Sequence, residues 1–331
     1  MHFYCEHCKK QYPMNTMSYK CKCGGLFRIY RDPADEYSHE ISIGATKTDL
    51  LPFRLGKLDL LLKMENLQPT GSFKDRGACT MINELHKLGI KRIAEDSAGN
   101  AGASVAAYAA AADMDCTIFV PEDISKKKIE QIESYGAKIR YVKGGRMETC
   151  TEIKKNLDGA YYASHVYNPL FNEGMKAMAY EIYEQLGGSV PEYIFMPVGN
   201  GTMLLGLYYG FIEIGRLPHL VAVQSRKCAP LYDAFYGLPE RKREKTIAED
   251  IRIERPFRLN EMIQALRNSQ GDVIAVDDED IINARELLGH RGVYAAAASA
   301  AALAGVQKAF RHGKPDNYRV IIPLTGSGLK A

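Results

Sequence analysis

The 331-residue sequence lacks the features that mark several large classes of protein. Its formal net charge is only +3, from 43 basic and 40 acidic residues, so there is no electrostatic case for binding nucleic acid or an anionic membrane. No segment is apolar over the length that crosses a bilayer, because the alanine-rich stretch 294–305 is too short. We expect that stretch to form a closely packed helix instead.

An apolar secretory signal is also missing from the first residues, MHFYCEHCKK. We therefore expect the chain to be cytoplasmic, where cysteines remain reduced. The eight cysteines accordingly indicate metal binding or burial rather than disulfides. The composition, 46% hydrophobic and 25% charged, is typical of a globular chain with two domains, or with one large domain and an appendage.

Four of the eight cysteines fall close together near the N terminus. Two residues separate Cys5 from Cys8, and one residue separates Cys21 from Cys23. Such thiolate pairs can close a tetrahedral metal site, and a segment of about forty residues has too little core to fold without support of this kind. We therefore predict a structural zinc ribbon over residues 1–38. The alternative, reduced cysteines without a metal, follows from the short second spacing.

A lysine occupies an unexpected place in the stretch MENLQPTGSFKDRG, residues 64–77. The turn formed by residues 69–72 leads into a predicted first turn of helix, and Lys74 lies in that turn. Unpaired backbone amides at a helix start favour anions, so a cation there is better explained by chemistry than by stability. The alternative is that Lys74 is solvated and has no catalytic role, and that its charged neighbours balance its charge.

Short β-like runs alternate with helix-like runs beyond residue 37, which predicts an α/β fold with a parallel sheet. The predicted strands are 58–64, 91–95, 116–120, 138–142, 193–197, 220–224 and 319–323. In such a fold, ligands bind at the carboxyl ends of strands.

Three glycine-rich turns follow predicted strands: SAGNAG at 97–102, GNGT at 199–202 and TGSG at 325–328. Each of them alone could be only a tight connection, since turns require glycine. Three such turns together with the lysine turn predict a pocket of backbone amides around an anionic ligand.

Four motifs, PTGSFKDRG, SAGNAG, PVGNG and LTGSGLK, stand in this order along the chain. Together they resemble the fold-type II pyridoxal phosphate (PLP) enzymes, and the cysteine-bearing N terminus resembles that of threonine synthases. The resemblance implies an α/β fold like that of tryptophan synthase β, with parallel sheets flanked by helices and a zinc ribbon at 1–38. It also implies a large PLP-binding domain, formed by 39–80 and 167–331, and a small substrate-side domain, 81–166.

The resemblance assigns Lys74 two roles, to bind the cofactor covalently and to move protons as the free amine. A lysine suits both roles because a desolvated amine readily gives up its charge. Asn100 matches the asparagine that hydrogen-bonds the phenolic oxygen of the cofactor ring. Ser97, Gly99 and Ala101 match the turn that offers hydrogen-bond donors to the substrate carboxylate.

Two other motifs would hold the cofactor. Gly199, Asn200, Gly201 and Thr202 match the loop that binds the cofactor phosphate, which suits amides at a helix start. Thr325 matches the hydroxyl that faces the pyridine nitrogen. A hydroxyl does not hold that nitrogen protonated as a carboxylate would, so the resemblance implies elimination or replacement chemistry.

One segment, SHVYNPLFNEG, departs from the threonine synthase pattern. Asn168 and Pro169 match, but His165 and Val166 stand where Asn-Ser is usual, and Phe171 stands where an arginine usually grips the substrate phosphate. Without that arginine, a bidentate, charge-assisted contact is lost. His165 is the candidate substrate-binding residue in its place.

The first-choice function is therefore that of a PLP-dependent lyase of the threonine synthase type, which converts O-phosphohomoserine into threonine and phosphate. The runner-up is β-elimination or β-replacement, as in threonine or serine dehydratase or in cysteate or cysteine synthase. A zinc-ribbon protein that binds nucleic acid is the non-enzyme alternative, but it needs a basic face and stacking aromatics. We expect a homodimer acting on a small amino acid, with no nucleic-acid or membrane partner.

Overall fold

A computed structural model describes residues 1–32, 34–55, 58–124, 126–311 and 318–330. The strands in this part of the chain are β1 (His2–Cys5), β2 (Gln11–Tyr12), β3 (Phe27–Tyr30), β4 (Leu50–Leu55), β5 (Leu58–Lys63), β6 (Arg92–Glu95), β7 (Asp115–Pro121), β8 (Lys138–Val142), β9 (Tyr161–Tyr162), β10 (Tyr193–Pro197), β11 (His219–Ser225), β12 (Asp272–Val276) and β13 (Val320–Pro323). A strand lies at each of the seven positions predicted from the sequence.

The helices alternate with these strands through most of the chain. They are α1 (Lys74–Lys87), α2 (Asn100–Ala111), α3 (Lys126–Ser134), α4 (Arg146–Lys155), α5 (Pro169–Met175), α6 (Ala177–Gln185), α7 (Thr202–Ile214), α8 (Pro230–Phe235), α9 (Leu259–Asn268), α10 (Asp278–Gly289) and α11 (Ala297–Ala309). Within the described ranges, every helix is too short or too polar to traverse a lipid bilayer.

The chain forms two compact units. Unit 1 consists of Met1–Ala45 and Lys74–Gly174, and unit 2 consists of Thr46–Phe73 and Met175–Ala331. The chain therefore passes from unit 2 into unit 1 at the peptide bond before Lys74. The functional division into a cofactor-binding and a substrate-side domain stays a prediction.

The main sheet of unit 1 has four parallel strands in the order β8-β7-β6-β9. The sequence of β7, DCTIFVP, is an almost continuous apolar run, as is typical of a parallel strand covered on both faces. Helices α1 and α2 pack against each other. Their close approach is possible because α2 is rich in alanine, and its residues 101–109 are all buried.

The N-terminal segment of unit 1 is a small antiparallel sheet in the order β2-β1-β3. Its own core is small: the rings of Phe3 and Phe27 stack with their centroids 5.8 Å apart. Tyr19 leaves this segment and packs edge-on against Tyr162 and Tyr167, at centroid distances of 5.8 and 5.1 Å. This aromatic contact attaches the N-terminal segment to the end of the four-stranded sheet.

Unit 2 contains a six-stranded sheet in the order β12-β11-β10-β13-β5-β4. All of its pairings are parallel except that of β4 with β5. The alanine-rich helix predicted from the sequence is α11, whose residues 298–306 are all buried. It can lie close to the sheet because Gly305 has no side chain, since a Cβ there would come within 2.5 Å of Val223 Cγ2.

Candidate active site

In unit 1, Lys74 is the first residue of α1 and is half-buried. Its Nζ lies 5.7 Å from the centroid of the Phe171 ring. The next residue, Asp75, is fully buried and places a carboxylate in the first turn of the helix, where it interacts favourably with the helix dipole. The predicted helix start at the lysine turn is confirmed, and the lysine faces an aromatic ring.

The turn that leads into α2 is built around glycines. Ser97 Oγ accepts a hydrogen bond from the Gly99 amide at 3.4 Å, and the helix begins at Asn100. A Cβ on Gly102 would lie 1.8 Å from the carbonyl oxygen of Ser97. The backbone therefore folds back tightly at a helix start, where the first amides have no partner within the helix. Such a turn presents N–H groups to an anion.

A buried acid and a buried imidazole lie at the carboxyl ends of neighbouring strands β6 and β9. Glu95 is 0% exposed and His165 is 3% exposed. His165 Nδ1 is 2.5 Å from Glu95 Oε1, and the His165 amide donates to Glu95 Oε2 at 3.3 Å. Phe171 packs edge-on against the imidazole, with the ring centroids 5.9 Å apart.

Burial raises the pKa of Glu95 well above its usual value, and the nearby Asp96 carboxylate acts in the same direction. Burial also lowers the pKa of His165 well below its usual value, reinforced by the positive charges of Lys74 and Arg146. Both shifts have the same physical cause, because a charge removed from water is penalised when nothing neutralises it. His165 was predicted as a site residue, whereas Glu95 was not.

Unit 2 contains the GNGT turn, directly after β10. Gly201 has a φ of +84° and precedes the first residue of α7, Thr202. A Cβ on Gly201 would lie 2.2 Å from Met262 Sδ, and one on Gly199 would lie 2.9 Å from Ile253 Cγ1. A side chain at either glycine would therefore clash with its surroundings. The turn leads into the first turn of α7.

The last motif of unit 2 follows β13. Thr325 is buried, and its Oγ1 lies 3.0 Å from Ser299 Oγ on α11. The Gly326 amide donates to the same serine hydroxyl at 3.3 Å. Ser72 forms an antiparallel bridge with Gly326. Its own hydroxyl is buried and has no hydrogen-bond partner within the described ranges. Neither Ser299 nor Ser72 was predicted as a site residue.

The four N-terminal cysteines converge on one point. Their Sγ atoms all lie within 4.8 Å of one another, and the Cys5–Cys23 and Cys8–Cys21 pairs are each 3.5 Å apart. Four sulfurs bound tetrahedrally to zinc at about 2.3 Å would be roughly 3.8 Å apart. Gly25 is needed beside them, because a Cβ there would lie 2.6 Å from Cys5 Sγ. The donor set and the spacing fit a zinc ion.

A family model described as "Pyridoxal-phosphate dependent enzyme" matches residues 41–326 of this chain. The chain belongs to the pyridoxal-phosphate-dependent enzyme family. This membership supports the fold-type II architecture and the PLP cofactor inferred from the sequence motifs.

Relatives and solved structures agree with this placement. The chain is 32% identical to a threonine synthase of Methanocaldococcus jannaschii, covering 98% of this chain and 92% of that protein. It is also 32% identical to a threonine synthase of a Synechocystis strain, covering 96% and 86%. Serine racemase from Dictyostelium discoideum superimposes with a TM-score of 0.75 at 26% identity, covering 86% of this chain and 93% of that one.

The PLP-enzyme motifs are thus distributed over both units. Unit 1 carries Lys74, Asn100, His165 and the Ser97 turn, and unit 2 carries the GNGT turn and Thr325. The individual roles of these residues stay predictions.

Proposed function

We propose that this PLP-dependent enzyme acts on an amino acid as a threonine-synthase-like lyase. The observation that supports this proposal is the similarity to a threonine synthase over 98% of this chain and 92% of that relative. The reaction would release phosphate from O-phosphohomoserine and add water to give threonine.

The described residues fit the cofactor. The phosphate would be held by the amides at the start of α7 and by hydroxyl groups. This suits the glycine-containing turn before Thr202 and the Ser72 hydroxyl, which has no hydrogen-bond partner among the described residues. Thr325, supported by Ser299, would face the pyridine nitrogen with a neutral hydroxyl. When bound, PLP supplies the electron sink that lets Cα lose a proton and the distal bond break.

The protein's own residues would carry the remaining tasks. Lys74 would hold the cofactor covalently and then, as the free amine, take the proton from Cα. The amides of the Ser97–Ala101 turn would bind the substrate carboxylate, since the start of α2 favours an anion. Asn100 would hydrogen-bond the phenolic oxygen of the cofactor. The cysteine cluster would bind one structural zinc ion, because four thiolates leave no open position for catalysis.

A second candidate is β-elimination or β-replacement on a serine-like or threonine-like amino acid. The observation that favours it is the pair His165 and Phe171, buried against each other at positions where threonine synthases usually grip phosphate. An aromatic ring offers a dianion no compensating charge.

Product analysis distinguishes the two candidates. Purified protein with PLP would be incubated separately with O-phosphohomoserine, serine, threonine and cysteine, and assayed for threonine, phosphate, ammonia and oxo acid. Threonine and phosphate released together from the first substrate support the threonine synthase reaction. Ammonia and oxo acid from a hydroxyl amino acid support elimination, and no product from any substrate would contradict both.

A further inference from the structure

We propose that Glu95 and His165 form a proton-donating pair that protonates a hydroxyl leaving group of the substrate, with Glu95 as the positioning residue for His165. The proposal rests on the second candidate function above, PLP-dependent β-elimination from a hydroxyl amino acid, and names the group that protonates the leaving hydroxyl. Three features of unit 1 carry it: the location of the pair, its proton count and its connection to Lys74.

The location comes from sheet topology. Strands β6 and β9 are neighbours in a parallel sheet, with Ala94 opposite Tyr162. Glu95 ends β6 and stands two residues before Ser97, while His165 stands three residues after the end of β9. Both side chains therefore lie at the carboxyl edge of the sheet, which is where α/β folds bind their ligands.

The proton count follows from burial. A fully buried pair avoids net charge, because an uncompensated ion in the protein interior is strongly penalised. A net charge of zero means that two protons are distributed over Glu95 and the imidazole. With Nδ1 engaged by Glu95 Oε1 at 2.5 Å, one proton lies between these atoms and the second is on Nε2. The Nε2–H group is then a donor whether the shared proton is bound to Nδ1 or to Oε1.

The zero net charge of the pair also disfavours the binding of a substrate phosphate group. A phosphate monoester carries close to two negative charges near neutral pH and is bound by groups of net positive charge. The Glu95–His165 pair offers none. A hydroxyl has the opposite requirement, because it is a poor leaving group until it receives a proton. The pair is therefore matched to a leaving hydroxyl and not to a leaving phosphate.

Phe171 connects the pair to Lys74. Its ring contacts the imidazole at a centroid distance of 5.9 Å and lies 5.7 Å from Lys74 Nζ. One buried ring thus contacts both the proposed base and the proposed acid. Because Phe171 is fully buried, it also fixes the plane of the imidazole.

The step balances as follows in atoms and electrons. The Lys74 amine takes the Cα proton, and the electrons of that C–H bond form the Cα–Cβ double bond. The Cβ–O bond breaks with its electron pair on oxygen, and the Nε2 proton of His165 completes a water molecule. The shared proton then stays on Nδ1 and is hydrogen-bonded to the Glu95 carboxylate, whose negative charge is balanced by the Lys74 ammonium formed in the same step. Return of the proton from the Lys74 ammonium through solvent restores the pair.

The test compares two substrates with one skeleton, L-serine and O-acetyl-L-serine, whose acetate leaves without prior protonation. Loss of a general acid costs about 10²- to 10⁴-fold. We expect His165→Asn and Glu95→Gln to lower kcat/KM for L-serine by at least about 100-fold. For O-acetyl-L-serine the loss should stay below about tenfold. Glu95→Asp, which keeps the carboxyl group, should recover part of the L-serine activity.

A control variant and three further measurements distinguish loss of folding from loss of function. His219→Asn is the matched control, because His219 hydrogen-bonds the Gln270 carbonyl at 2.9 Å in unit 2 and should leave both activities unchanged. Proton NMR of the cofactor-free protein should show a strongly downfield Nδ1 proton that is absent from the His165→Asn and Glu95→Gln proteins. Visible absorbance of bound cofactor and the thermal midpoint identify any variant that fails to fold.

Equal losses on the two substrates would overturn the inference, and so would a wild type that acts on O-acetyl-L-serine but not on L-serine. If the wild type binds PLP yet neither forms product nor exchanges the Cα proton with deuterated solvent for any amino acid, the proposed function itself fails. The inference then fails with it, and the exchange measurement separates this outcome from the first two.

Discussion

Helix α7 offers a matched pair of substitutions, because a glycine of almost the same conformation stands at each end. Gly201 has a φ of +84° and Gly215 has a φ of +82°. A side chain on Gly215 would meet nothing within 4 Å, whereas one on Gly201 would lie 2.2 Å from Met262 Sδ. Alanine at the two positions therefore separates the cost of the backbone from the cost of the clash.

The expected magnitudes follow from these contacts. A left-handed conformation costs an alanine about 1 to 2 kcal/mol, so Gly215→Ala should lower the free energy of unfolding by that amount. Gly201→Ala should cost about 1 to 3 kcal/mol more, the usual penalty for overpacking. Met262 is fully buried and cannot escape into solvent.

Only the substitution at the N-terminal end of α7, Gly201→Ala, should change the affinity for PLP. A hydrogen bond to a charged group contributes about 1.5 to 3 kcal/mol. Displacing one amide from the phosphate should therefore raise the Kd for PLP roughly 10- to 100-fold in Gly201→Ala and leave it unchanged in Gly215→Ala. Titration followed by visible absorbance measures this Kd, and pyridoxal, which lacks the phosphate, should bind both variants alike.

The reasoning would be refuted by two results. Equal free energies of unfolding, measured by denaturant titration, would mean that the contact between position 201 and Met262 is misplaced. Unchanged PLP affinity in a destabilised Gly201→Ala protein would mean that the phosphate binds elsewhere.

Three other predictions can be checked with standard assays. Lys74→Ala should keep the fold but lose both turnover and borohydride trapping of the cofactor, and trapping at another lysine would contradict the assignment. Protein prepared without chelator should contain one zinc ion per chain by metal analysis, and Cys8→Ser should lose it, whereas Cys228→Ser should not. If the second candidate function holds, O-phosphohomoserine should be a poor substrate, because an unreplaced arginine–phosphate contact costs about 2 to 5 kcal/mol. A kcat/KM above about 10⁴ M⁻¹s⁻¹ would refute this last prediction.

The sequence predicted the elements whose signals are local. Apolar runs such as YIFMP and VIIP bounded by turn residues marked β10 and β13, and the spacing of Cys5, Cys8, Cys21 and Cys23 anticipated sulfurs within 4.8 Å. Strand β9 was missed because two residues carry too little pattern. Strand β12, with the run DVIAV, had a usable signal that was overlooked.

Site residues were missed where their partners are distant in sequence. Glu95 at the end of a strand has the pattern of a solvated charge, and its burial becomes apparent only beside His165, 70 positions later. Ser299 stands inside an alanine-rich helix, and its contact with Thr325 spans 26 positions. Both contacts depend on which strands are neighbours. Strand order is decided by the packing of the whole sheet and cannot be predicted from a short segment of the sequence.

The pairing of β5 with β13 has a consequence for the order of events during synthesis. Strand β5 gains β4 as a partner at once, but its other edge pairs with β13, with Lys63 opposite Pro323. About 260 residues separate these two positions, so a ribosome adding about 5 to 20 residues per second needs roughly 10 to 50 s to supply the partner. Until then one edge of the strand preceding the lysine turn has no neighbour, and the nascent chain stays vulnerable to aggregation there until β13 has emerged.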